Sequence, residues 1–367
     1  MTTLMDASNQ WASRPADQRF VSLTEMQDRL THLRRNSRAT VLPNRSLHAA
    51  PVEGSDTGLA VIGPGGTPVS PTHWSFGQLA QRVGAPAGYL RNLPAPIAAD
   101  CINWGLRQRD VEELGVLLQR PNGHTDIAAV TGPNYGRIWN DEIVRQTIRL
   151  FGDGRTGQFT VPGEFGVAVE VTKANTTLFA SDRDCFIFLA DEKNRVEIPN
   201  RRNGQPGTLA RGFFIRNSDV GAASFDIDTF LLDYVCMNRI VWGVTQHERV
   251  SFRHSKGAPE RFAEQIAPAL ERYSHEATAG IVKSIEAARE ARIGDKDAVT
   301  KFLAERFTRS QATAIAAAHM TDEGRPIETL WDVATAATAY ARGIEYQDDR
   351  FALERAAGKV LDMVKVA

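Results

Sequence analysis

The hydrophobic pattern passes from strand-like alternation to helical spacing near Pro259, and that change divides the chain. From about residue 111 to residue 257 apolar side chains recur at alternate positions in short runs, the pattern of strands with one face covered. Beyond Pro259 they recur at three- and four-residue steps, through "APERFAEQIAPALERYSHEATAGIVKSIEAARE", "DAVTKFLAERF", "RSQATAIAAAHM", "IETLWDVATAATAY" and "RFALERAAGKVLDMV". Runs of strands followed by runs of helices predict an α+β protein, because alternating strand and helix signals are missing. The expected architecture is an antiparallel β-meander core with crossing helices over residues 111–257. A mainly helical N-terminal region (1–110) and a helical C-terminal region (258–367) flank it.

The N-terminal region opens with "SLTEMQDRLTHLRRN". Ser22 and Glu25 form a capping box, and Leu23, Met26, Leu30 and Leu33 mark the buried face of a helix over 22–35. Residues 36–71 read as short strands and turns. "HWSFGQLAQRVGAPAGYLRNLP" reads as a helix ending at Gly84 and a second short helix after Pro86, superficially a helix-turn-helix. A third helix would carry Ile97, Cys101 and Trp104 on one side.

Within the core, "VEELGVLLQRP" and "TDIAAVTGPNYGRI" read as strands separated by the turn at Pro121-Asn122-Gly123. Asn140 is placed as the N-cap of a helix over 140–151 that ends on Gly152. Further strands are expected at Val167–Val171 and Phe186–Ala190, two of them joined across Glu192–Asn194. "FIRNSDVGAASFDI" interrupts an apolar run with Asn217-Ser218-Asp219. Those side chains bond their own backbone and Gly221 tolerates positive φ, so "NSDVG" predicts a hairpin connection. A helix over 229–238, capped by Asp228, is expected next.

The 43 basic and 44 acidic residues leave a net charge of -1, which excludes a wholly basic or polyacidic chain and confines any nucleic-acid contact to a local patch. Cys101, Cys185 and Cys236 are isolated, so neither a disulfide framework nor a cysteine zinc site is indicated, and the expected compartment is the cytoplasm. The N-terminus lacks the basic-then-apolar pattern of a leader, and no run of eighteen apolar residues occurs.

No phosphate loop, dinucleotide fingerprint, nucleophile elbow or zinc helix appears, and no cofactor or metal is expected. His247 and His254 would lie on opposite faces of a strand. Asp182, Asp184 and Asp191 are oxygen donors for a cation if the fold gathers them, and solvated turn residues if not. From 201 to 261, nine basic side chains face six acidic ones, with aromatic residues interleaved. Arg211, Arg216, Arg239, Arg249, Arg253 and Lys256 are the phosphate-binding candidates. Tyr135, Arg137 and Trp139 would form a stripe on one face of a strand, able to stack on bases. A sheet with one solvated and one covered face would produce the same composition.

"VTGPNYGRIWNDEIV", "GFFIRNSDVGAASFDIDTFLLDYVCMNRIV" and "SFRHS" together resemble the phage/plasmid-like protein family, domain of unknown function nine hundred and thirty-two. The likeness covers most of 70–345. It departs at Arg239, where that family often has Gly after the Asn. "YGRIWNDEIVRQTIRLFG" is similar, at fold level, to single-strand annealing proteins of the Red-beta type, which oligomerise and hold single-stranded DNA without ATP. The resemblance implies a non-enzymatic single-stranded nucleic-acid-binding or annealing protein, with homo-oligomers and no membrane association. A metal-dependent nucleic-acid-processing enzyme and a host-interaction or defence-antagonist protein are the alternatives.

Overall fold

The computed structural model describes residues 15–108, 110–121, 123–162, 170–174, 176–202, 205–233, 238–240, 250–275, 279–344 and 347–364. The fold is α+β, with two sheets whose pairings are antiparallel except for the parallel pair of 68–71 with 126–131.

In the N-terminal part, β1 (Arg19–Phe20) precedes helix α1 (Leu23–Arg35), then β2 (Ser37–Pro43), β3 (His48–Pro51), β4 (Leu59–Ile62) and β5 (Pro68–Pro71). Helices α2 (His73–Val83), α3 (Ala87–Arg91) and α4 (Ala95–Gln108) follow. Next come β6 (Glu113–Gln119), β7 (Asp126–Thr131) and α5 (Asn140–Phe151). β2 to β7 build one six-stranded sheet in the order β2-β6-β7-β5-β4-β3. The β2–β6 pairing therefore crosses the boundary drawn at residue 110. Phe76, Leu79, Ala98 and Ile102 of α2 and α4 bury one face of this sheet.

The second sheet has nine strands, with β8 (Phe159–Thr160), β9 (Leu178–Ala180), β10 (Cys185–Asp191), β11 (Val196–Arg202), β12 (Gln205–Asn217), β13 (Phe225–Asp233), β14 (Asn238–Ile240) and β15 (Val250–Phe252) joining β1. Alternation sets its two faces. Ile187, Leu189, Phe213 and Ile215 pack under α1, α5 and α6 (Ala258–His275), whereas Phe186, Phe188 and Phe214 pack on the other side. The remaining helices α7 (Ala279–Glu290), α8 (Lys296–Ala304), α9 (Arg309–Glu323), α10 (Leu330–Ala341) and α11 (Gln347–Leu361) form the helical C-terminal part. Trp331 and Ala334 pack on Leu209 and Leu231 of the long hairpin.

Three local expectations are corrected. The strand expected at 223–228 is present from Phe225, but residues 229–233 continue it rather than start a helix: Phe225 and Ile227 face one core while Phe230 and Leu232 face another, and β12 pairs from Asp226 to Asp233. Residues 234–237, with Cys236, lie outside the described residues. Glu192–Asn194 is not a hairpin turn, since β10 and β11 both pair with β12 and run in line. The short segment 192–195 separates them, a register shift falls within β11 between Ile198 and Arg202, and the reversal comes at 202–205. Asn140 is the first residue of α5 rather than its cap, because Trp139 takes the extended cap position. The strand expected at Val167–Val171 lies mostly outside the described residues, and Val171 itself is not in a strand. The "NSDVG" turn does connect β12 to β13, with Arg216 opposite Asp226 and Gly221 at φ +86°.

Candidate nucleic-acid interface

The β12–β13 connection is buried against the six-stranded sheet. Val220 packs with Leu117, Ala128 and Ala129, flanked by Trp74 and Trp139. Its carbonyl accepts hydrogen bonds from the Trp74 indole (3.1 Å) and the Gln78 amide (2.8 Å). The junction of the two sheets is therefore fixed by this turn, and polar side chains converge on it.

Tyr135, Arg137 and Trp139 do come together, but not by strand alternation: residues 132–139 are a loop. The Arg137 guanidinium lies 5.1 Å from the Tyr135 ring centroid and 5.4 Å from that of Trp139. Arg34, at the exposed end of α1, covers Trp139 at 3.7 Å. Tyr135 stacks on His254 at 4.9 Å, and its hydroxyl donates to the Ser218 carbonyl at 2.8 Å. The result is an alternating column, Arg34–Trp139–Arg137–Tyr135–His254, running from the surface to a buried imidazole.

Beneath it, Asn217 donates to the Ile138 carbonyl (2.9 Å) and to Asn140 Oδ1 (2.7 Å). Asp219 accepts the backbone N–H of Asn140 at the start of α5, where the helix dipole favours an anion. Burial nevertheless raises its carboxyl to about 6, with Arg137 opposing. Burial pushes the His254 imidazolium down to about 4, so the ring is neutral at pH 7, with Nδ1 3.1 Å from the Gly136 carbonyl. The Tyr135 hydroxyl is likewise raised by burial. Among the described residues, three buried polar atoms in this cluster have no hydrogen-bond partner: Arg137 Nη1, Asn217 Oδ1 and His254 Nε2.

The other expected site residues scatter. Arg211 is 4% exposed and holds Asp191 at 3.2 Å, so it cannot reach a phosphate. Arg216 is half-buried over the Phe186 ring at 5.9 Å. Arg239 is in β14 opposite Leu232, and Arg249 lies outside the described residues. Arg253 and Lys256 are exposed on either side of the His254 segment. The acids are not gathered: Asp182 is exposed, Asp184 bonds Ser181, and Asp191 bonds Gln158, Asn194 and Arg211. Cys101 is exposed and Cys185 buried, and among the described residues neither forms a disulfide.

Sequence reading missed Arg34, and also Arg183, whose guanidinium lies 4.9 Å from the Trp74 ring. Neither stands in a motif; only the packing of α1 and the 181–184 turn brings them to the junction. Among the described residues no helix is long and apolar enough to cross a membrane.

No family model, no curated protein and no solved structure matches this chain.

Proposed function

We propose that the chain binds single-stranded nucleic acid along the cation–aromatic band at the sheet junction, and anneals complementary strands without a nucleotide cofactor. The column of Arg34, Trp139, Arg137 and Tyr135 carries this reading. Single-strand binding needs cations for phosphates and flat groups for bases, and bases stack on guanidinium planes as well as on rings. Arg34 presents such a plane at the surface, while Arg183–Trp74 continues the band and Arg253 and Lys256 add exposed charge. Membership of the phage/plasmid-like family and homo-oligomer formation belong to the same proposal. In its support, the three stretches that carry the resemblance meet here, through Tyr135, Ser218 and His254.

Fluorescence anisotropy with labelled single- and double-stranded oligonucleotides at two salt concentrations tests it. Preferential, salt-sensitive single-strand binding that weakens in Arg34→Ala is the expected result. No binding by the unmodified protein at low salt would remove the proposal.

A further inference from the structure

A cavity of about 440 Å³ lies between the two sheets, a size that encloses a small organic ligand. Gln119 and Asp126 line it and are register partners on β6 and β7. Directly opposed residues share a face with Cβ atoms about 5 Å apart. Gln119 is only 5% exposed, and among the described residues its amide has no hydrogen-bond partner. The residue is buried, yet its amide is not among the enclosed unpartnered groups, so it opens onto the cavity, where a ligand can replace solvent as its partner. Asp126 has His124 at 3.3 Å, an exposed ring that leaves part of its carboxylate free. Phe20, Leu30 and Leu33 supply an apolar wall. Exposed Asp17 and Asp182 also line the cavity, with Arg29 as its one Arg or Lys side chain.

We propose that this cavity binds an amino-bearing nucleobase, its ring against Phe20 and Leu30 and its amino edge on Asp126 and Gln119. An amide pairs in two places with an amino group and adjacent ring nitrogen, and a carboxylate accepts from an exocyclic amino group. The acids around the cavity disfavour a phosphate, so the ligand enters by its base. The base comes either from a free nucleoside or from a strand. Ser181 and Asp182, which line the cavity, directly precede Arg183 of the cation–aromatic band, so a strand held there passes close by. The choice of a nucleobase over other amino-bearing rings rests on the strand-binding reading.

Calorimetric titration of the full chain with adenosine, cytidine, uridine and adenosine 5′-monophosphate tests the proposal. Saturable binding of adenosine or cytidine is expected, at least tenfold weaker for uridine and weaker for the monophosphate than for adenosine. Gln119→Ala and Asp126→Ala should each reduce affinity tenfold or more. Thr57→Trp, at an exposed lining position where folding is little affected, should block the cavity. A strand source is shown if an oligonucleotide binds more tightly than its abasic counterpart and Thr57→Trp abolishes the difference; equal binding leaves the free nucleoside as the source. Equal affinity for uridine and adenosine, or no saturable nucleoside binding at millimolar concentration, overturns the cavity proposal. Nucleoside binding without oligonucleotide binding would instead sink the strand-binding reading alone.

Discussion

Tyr135 and His254 stack with ring centroids 4.9 Å apart and planes 21° from parallel, and the residue that permits this is Gly136. Its N–H donates to the His254 carbonyl at 3.1 Å, and a Cβ there would stand 1.9 Å from the Ser255 carbonyl oxygen. That neighbour is backbone and cannot swing aside. Gly136→Ala should therefore cost at least the 1–3 kcal/mol typical of overpacking, roughly, in chemical denaturation. A change below about 0.5 kcal/mol, the range of neutral surface substitutions, would show that the His254 segment is not clamped.

The pH dependence of stability should expose His254 and Asp219 as opposed groups. The depressed pKa of His254, about 4 in the fold against 6.5, gives stability that is present above pH 6.5 and lost as pH falls through 4. The raised pKa of Asp219, about 6 against 3.8, gives stability present below pH 3.8 and lost as pH rises through 6. The two slopes oppose each other between pH 4 and 6. His254→Gln removes only the first. The stability difference between the unmodified protein and this variant should narrow by up to about 3 kcal/mol from pH 7 to pH 4. A constant difference across that range would contradict a neutral buried ring.

Much of this was legible locally and little of it at long range. The turn at Asn217–Gly221 and the helix at Asn140–Phe151 follow from side-chain chemistry and period. The second half of the strand Phe225–Asp233 reads as a helix because Phe230, Leu231, Tyr234 and Val235 match a helical stripe, whereas burial on both faces of a sheet makes alternation invisible. Tyr135, Arg137 and Trp139 do lie together, but through a loop rather than the strand alternation that their spacing suggests. Arg211 reads as a surface cation, because no local pattern reveals that Asp191, at the end of the neighbouring strand β10, pairs with it.

Arg211 and Asp191 should behave as a buried ion pair. Their side chains are 5% and 0% exposed, and Arg211 also donates to the Tyr273 carbonyl at 2.9 Å. Removing one partner leaves an uncompensated charge, so Arg211→Ala should lower unfolding free energy by about 3–5 kcal/mol. At temperatures where the variant is folded, the salt dependence of oligonucleotide binding should match that of the unmodified protein. A shallower salt slope would return Arg211 to the binding surface.

The column at the sheet junction separates charge from stacking in a single binding experiment. Arg253 and Lys256 are exposed and make no ring contact among the described residues, so both are available to phosphates. Removing one cation from a single-strand phosphate lowers the slope of log affinity against log salt by about 0.7. The Arg253→Ala, Lys256→Ala double variant should therefore bind more weakly with a slope shallower by up to about 1.4, the sum for two cations, and with an unchanged melting temperature. Trp139 is half-buried between Arg34 and Arg137, so Trp139→Ala removes the ring that holds the exposed Arg34 plane in its stacking position and leaves both cations in place. Its affinity loss should be about 1–3 kcal/mol and should persist at high salt. A Trp139→Ala variant that is correctly folded by circular dichroism yet binds as tightly as the unmodified protein would move the strand off this column. A loss that vanishes at high salt would assign the column a purely electrostatic role.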